Sequence, residues 1–206
     1  MTLPTSSRHG KVTRIAHAGL AIAVILQLVS SLFMQVPRGE RPANFAFEMH
    51  EAVGTAALAF ALGFWAVIML RIVGTDAVRL FPWASGTRLA ALKADLAAHV
   101  RALRRLRLPT YDPEGALASA VHGLGLLLIT YMALSGTMYL IAPRAGYEDS
   151  TLLHLAMDVH EAFGNLVWVY LIGHAGLAVL HHLAGGLPIA QMWSLRSAPN
   201  SGDLPE

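Results

Sequence analysis

Four apolar segments of about twenty residues or more account for most of this chain of 206 residues. A helix of that length crosses the ~30 Å hydrocarbon core of a bilayer. Charged residues make up only 14% of the sequence, whereas soluble globular domains contain roughly 25%. The sequence therefore predicts an all-α integral membrane protein, a four-helix bundle in one membrane domain over residues 1–206. The predicted spans cover residues 14–36, 47–73, 115–142 and 157–183.

Lysine and arginine are distributed unevenly between the two sides of these spans. Four spans place both termini on one side, and twelve of the fifteen basic residues lie there, in the N-terminal flank, the second-to-third connection and the tail. Only Arg38, Arg41 and Arg144 lie on the other side. Because cytoplasmic segments carry the excess of positive charge, both termini are predicted to be cytoplasmic.

The connection between the second and third spans carries apolar residues at helical spacing, with basic residues on the opposite face. This pattern predicts an amphipathic helix over residues 88–107, lying on the inner leaflet. The basic cluster at Arg104, Arg105 and Arg107 is expected to bind anionic membrane lipid, and a docking face for a soluble partner is the alternative. No nucleic-acid partner is expected.

Histidine is the residue type that points to chemistry. The chain contains no cysteine, which excludes disulfides, iron–sulfur clusters bound by thiolates and the covalent attachment of c-type haem. Several of the ten histidines fall inside the apolar segments. An imidazole inside a bilayer is costly and usually faces the protein interior for a functional reason.

The depth of each histidine in the membrane sorts these residues into two levels. His17 and His122 lie near the cytoplasmic ends of the first and third spans, while His50 and His160 open the second and fourth spans at the other surface. His174 follows 14 residues after His160, which places both on one helix face, about 21 Å apart along the axis. The fourth span therefore offers one ligand to each leaflet.

This arrangement predicts two stacked b-type haems, each held between two imidazoles from facing helices. His50 and His160 form the periplasmic pair, whereas His174 can meet either His17 or His122 at the cytoplasmic level. Nearby glycines either admit a flat macrocycle or simply permit close helix packing. These glycines are Gly19, Gly54, Gly123, Gly164, Gly173 and Gly176.

The sequence also resembles a known family. The residues that carry the resemblance are the stretch His160-Glu161-Ala162-x-x-Asn165-Leu166, His174, the pair His181-His182, His17 behind a basic N-terminus, His50 and the segment from His122 to Gly136. Together they resemble the bacterial-type cytochrome b561 family, whose relatives include the b-type subunits of nickel–iron hydrogenases and the superoxide oxidase of bacterial inner membranes. The resemblance covers nearly all of residues 8–195.

The resemblance implies a multi-pass protein of the bacterial inner membrane with two haem b groups and a quinone, ubiquinone or menaquinone, as its lipid-soluble substrate. It implies iron ligands at the matching positions, paired as His17–His174 and His50–His160. His122 is then an alternative ligand, or a contact to a haem propionate or to quinone.

Two function hypotheses follow. In the first, the chain is an enzyme, a superoxide:ubiquinone oxidoreductase, with Arg38, Arg41 and Arg144 steering the anion. In the second, it is the electron-transfer subunit of a membrane-bound hydrogenase or dehydrogenase, carrying electrons between quinone and a redox partner protein. The two hypotheses differ in whether the chain is itself an enzyme. A haem-free transporter is disfavoured because no span contains a central proline.

Overall fold

The structure is a computed structural model that describes residues 11–70, 77–109, 112, 115–147, 150–184 and 189. Within these residues every regular element is a helix, which confirms the predicted all-α class. The α-helices are α1 (Lys11–Ser31), α2 (Phe45–Met69), α3 (Ala77–Leu80), α4 (Gly86–Arg104), α5 (Ala116–Ile141) and α6 (Thr151–Leu183). Short 3₁₀ turns at Pro82–Ala84 and Pro143–Ala145 precede α4 and α6.

Four of these helices, α1, α2, α5 and α6, are long and apolar enough to cross a membrane, as the sequence predicted. At 33 residues, α6 extends about 50 Å and exceeds the ~30 Å thickness of the hydrocarbon core. A helix of this length must tilt or project beyond the apolar layer. The predicted end of the second span at Val73 lies outside the described residues.

Side-chain caps set where two of the spans end and begin. The Asn44 side chain accepts a hydrogen bond from the backbone N–H of Phe47 and caps α2. It also accepts from the N–H of Gln35 and donates to the carbonyl of Phe33. These bonds draw residues 33–36 into the turn, which is why α1 ends at Ser31 although the apolar sequence continues to Val36.

The bundle packs in chain order, with α1 against α2, α2 against α5 and α5 against α6. A buried cluster of Val24, Leu28, Ile129 and Val167 joins α1, α5 and α6. Only Leu153 and Val167 are buried in α6. The last helix is therefore held mainly by α5, and most of its length faces away from protein atoms.

The connection from α2 to α5 is anchored to the start of α5. The Asp95 carboxylate, on α4, accepts a hydrogen bond of 2.9 Å from the N–H of Leu117. The backbone of Leu80 approaches Gly123 so closely that a Cβ there would lie 1.9 Å from the Leu80 oxygen. No residue of α4 is buried. The helix ends at Arg104, and Leu106 just beyond it has a left-handed backbone conformation with a φ of +52°.

Candidate functional site

Two histidines of the predicted set face each other at the end of the bundle where α1 and α5 finish. The ring centroids of His50 and His160 are 6.5 Å apart. Both rings also receive a hydroxyl contact from a neighbouring helix, because Ser30 Oγ lies 3.0 Å from His50 Nδ1 and Ser135 Oγ lies 2.8 Å from His160 Nδ1. We call the two histidines together with their two serines the serine-bonded pair.

The two serines of this pair are buried almost completely, with 1% of Ser30 and 2% of Ser135 exposed. Each hydroxyl also reaches a backbone carbonyl of its own helix, that of Gln27 at 3.0 Å and that of Tyr131 at 2.8 Å. The Gln27 side chain in turn donates to the backbone carbonyl of His50. Helices α1 and α5 therefore fix the positions of two imidazoles that belong to α2 and α6.

The remaining histidines of the set meet near the opposite end of the bundle. The His174 ring lies 6.5 Å from that of His17 and 5.2 Å from that of His122, centroid to centroid. Tyr170 stacks on His174 at 5.4 Å with an interplanar angle of 8°. His17 and His174 are partly buried, whereas His122 is exposed. This group is called the tyrosine-stacked cluster.

The ring separations discriminate between pairs of axial ligands. A metal–nitrogen bond to histidine is about 2 Å long, so two imidazoles on opposite faces of one iron have centroids about 6.4 Å apart once the nitrogen-to-centroid distance is added. The separations of His50–His160 and His17–His174 fit this value. The separation of His122 and His174 is more than 1 Å too short.

The glycines near the histidines divide into two groups. A Cβ on Gly19, Gly54 or Gly123 would meet Phe60, Gln27 or Leu80, so these three serve helix packing. A Cβ on any of the other three would lie in open space, with no contact within 4 Å to another part of the described chain. They are Gly164, Gly173 and Gly176.

Polar residues near the two groups differ in burial. Arg14, one helical turn before His17, is only 5% exposed. Arg38, Arg41 and Arg144 are all exposed. Among the described residues, no three or more His, Cys, Asp or Glu side chains are arranged for a metal ion. Two facing imidazoles, as in the histidine pairs, are the donor set that a six-coordinate haem iron uses.

Sequence reasoning missed the residues that orient the imidazoles, namely Ser30, Ser135 and Tyr170. A serine in an apolar span usually bonds the carbonyl one turn earlier, so its presence alone gives no signal. One signal does exist, because Ser30 follows His17 by 13 residues and Ser135 follows His122 by 13 residues. That shared spacing places a serine at the same level of α1 and α5.

Comparison with known proteins identifies the family of this chain. The sequence model of the family described as prokaryotic cytochrome b561 matches residues 8–195. A search of curated proteins and a search of solved structures each give no match. The family model covers both histidine groups and all four candidate spans. This chain therefore belongs to the prokaryotic cytochrome b561 family, whose members are membrane proteins that bind b-type haem and transfer electrons.

Proposed function

We propose that this protein is a di-haem cytochrome that carries electrons across the bacterial inner membrane between the quinone pool and a second redox partner. His50 and His160 would hold one iron, and His17 and His174 would hold the other. The observation that supports this proposal is the equal 6.5 Å separation of these two pairs, near opposite ends of the bundle. His160 and His174 lie about 21 Å apart along α6.

The protein's own residues determine what such a site does. When bound between two imidazoles, each haem would supply a one-electron couple and would offer substrates no open position on its iron. Gly164, Gly173 and Gly176 leave room against α6. The apolar spans would keep water away from the path between the two groups. Substrates therefore react at the edge of the bundle rather than at iron.

Quinone is the proposed lipid-soluble substrate, since it shares the membrane with the four spans. His122 is exposed beside the tyrosine-stacked cluster and fits a contact to quinone or to a haem propionate better than an axial ligand. The buried Arg14 guanidinium, one turn from His17, would supply positive charge to the same region.

Superoxide is the proposed electron donor at the opposite surface. Arg38, Arg41 and Arg144 are exposed in the two turns at the end of the bundle that holds the serine-bonded pair. Their positive potential would attract a small anion to that end. In this version the chain is an enzyme that oxidises superoxide and reduces ubiquinone.

A subunit role is the second candidate, and the exposed helix α4 is the surface that it would use. The helix has no buried residue, and its basic end continues into exposed Arg105 and Arg107. This face would contact either anionic lipid or a hydrogenase or dehydrogenase partner on the cytoplasmic side. The predicted cytoplasmic location of both termini remains part of this proposal.

Spectra of histidine variants test the ligand assignment. Purified wild-type protein should contain two haem b per chain, and His50→Ala or His160→Ala should each remove only one. His17→Ala should remove the other haem, whereas His122→Ala should retain both. Loss of that second haem in His122→Ala, with retention in His17→Ala, would reverse the pairing, and a colourless wild-type protein would refute the proposal.

Superoxide-driven quinone reduction by the purified chain separates the two candidates. The enzyme hypothesis expects turnover by the isolated protein in detergent or vesicles, suppressed by high salt because the anion is steered by exposed charge. An active wild type with a salt-insensitive rate would refute the steering role of the arginines. Haem reduction by quinol without superoxide turnover would favour the subunit role.

A further inference from the structure

Each serine hydroxyl of the serine-bonded pair makes two contacts, one to a histidine and one to the backbone of its own helix. Ser30 Oγ and Ser135 Oγ each lie within hydrogen-bond distance of both a histidine Nδ1 atom and a backbone carbonyl oxygen. A serine hydroxyl has one proton to donate and lone pairs with which to accept. A carbonyl oxygen has no proton, so the bond to the carbonyl uses the hydroxyl proton.

That assignment fixes the proton on each imidazole. With its proton given to the helix carbonyl, each hydroxyl oxygen must accept, and Nδ1–H of the facing histidine is the donor that lies 2.8–3.0 Å away. The neutral ring then has its lone pair on Nε2, the atom available to bind a metal. The opposite tautomer would place the proton on Nε2 and block ligation.

We propose that Ser30 and Ser135 are positioning residues that hold His50 and His160 in the Nδ1–H tautomer and thereby set the reduction potential of the haem bound between them. The proposal rests on the proposed function, because it assumes that haem iron is ligated by this pair. A hydrogen bond from the second ring nitrogen makes an imidazole a stronger donor to its metal. Stronger donation stabilises the ferric state and lowers the potential.

Each half of the bundle contains its own serine–histidine hydrogen bond. Ser30 of α1 serves His50 of α2, and Ser135 of α5 serves His160 of α6. Each ligand helix therefore takes its hydroxyl from the helix that precedes it in the same hairpin. The tyrosine-stacked cluster has a different arrangement, since His174 is covered by the ring of Tyr170. The haem held there serves as an internal reference in every measurement.

Redox titration of serine variants tests the proposal. In Ser30→Ala and Ser135→Ala, the midpoint potential of the haem at the serine-bonded pair should rise, and the double variant should show the larger rise. Retention of that haem should weaken about 10- to 100-fold, the usual effect of removing a residue that orients a metal ligand. The potential of the second haem should not change, which reports that the bundle is still folded.

Matched controls separate orientation of the ligand from packing. Ser31→Ala removes a neighbouring hydroxyl that bonds the carbonyl of Leu28, and it should leave both potentials at wild-type values. Ser30→Thr keeps the hydroxyl and should keep the lower potential. Unchanged or lowered potentials in both alanine variants, or equal shifts of both haems, would overturn the inference. Absence of haem from the wild type would instead overturn the proposed function.

Discussion

Gly125 provides a test of how the tyrosine-stacked cluster is built. This residue lies on α5 beneath Tyr170 of α6, and a Cβ added there would lie 2.1 Å from the hydroxyl end of the ring. Ordinary van der Waals contact begins at 3.4 Å. Gly125→Ala therefore displaces the ring by about 1.3 Å, and the ring is the group that stacks on His174.

The expected effect on haem retention depends on the contact that this displacement breaks. The atoms in conflict belong to the end of a side chain, so the backbone of α6 can stay in place, and alanine gains about 0.5–1 kcal/mol over glycine in a helix. The stack itself contributes about 0.5–1.5 kcal/mol. Its loss frees the His174 ring and should weaken haem retention at this cluster by about 2- to 12-fold, with little change in overall stability.

The assay is a haem-retention titration on purified protein, followed by absorption spectroscopy, with thermal unfolding measured in parallel. Gly63→Ala is the matched control, because a Cβ at Gly63 on α2 would meet no atom within 4 Å. Tyr170→Leu should reproduce the effect of Gly125→Ala. Adding Gly125→Ala to Tyr170→Leu should then cause little further loss, since the two changes act on one contact.

Three results would refute this reasoning. Equal retention of both haems in Gly125→Ala and Gly63→Ala would show that the stack does not orient His174. Loss of the haem at the serine-bonded pair instead would place the effect at the wrong end of the bundle. Additive losses in the double variant would show that Gly125 and Tyr170 act on different contacts.

Other substitutions test the framework around the two groups. Asn44→Ala removes the cap of α2 and the bonds that close the first turn. Thermal unfolding should show that the free energy of unfolding falls by about 1–2 kcal/mol. Asn44→Asp keeps the capping oxygen and should lose less stability. Asp95→Ala leaves the N–H of Leu117 without its carboxylate and should cost about 1 kcal/mol in the same assay, with Asp95→Asn as the control. Gly123→Ala forces the Leu80 backbone away from α5 and should destabilise by at least about 1–3 kcal/mol; a stabilised variant would contradict the close approach.

The fold was largely predictable because long apolar segments make up most of this sequence. The class and the four candidate spans follow from hydropathy, whereas helix ends depend on local polar bonds that hydropathy does not report. Helix α6 begins at Thr151 rather than near residue 157, because His154 and Asp158 dilute the apolar signal of a continuous helix. Similarly, α4 covers Gly86–Arg104 rather than 88–107, since the chain turns at Leu106.

The contacts among the histidines were predictable from the sequence, but the residues that support them were not. Depth alone pairs His50 with His160, since both open their helices at one surface. Depth cannot choose between His17 and His122, because the two lie at one level, and only ring separations of 6.5 and 5.2 Å distinguish them. Serine and tyrosine contacts depend on the rotation of each helix about its axis, which a pattern of apolar residues leaves undetermined.

The hairpins α1–α2 and α5–α6 resemble each other in sequence, yet α6 carries two histidines of the candidate site and α2 carries one. The hairpins α1–α2 and α5–α6 share the His-to-Ser spacing of 13 residues, and His50 corresponds to His160. Fourteen residues after His50, where α6 has His174, α2 has Phe64. That ring packs with Ile68, Leu80 and Leu126, so this position belongs to the hydrophobic core. His17 and His122 therefore both lie near the single imidazole of His174. The 6.5 Å separation favours His17 as the partner of His174 in the proposed site, and the proposal keeps exposed His122 as a substrate contact.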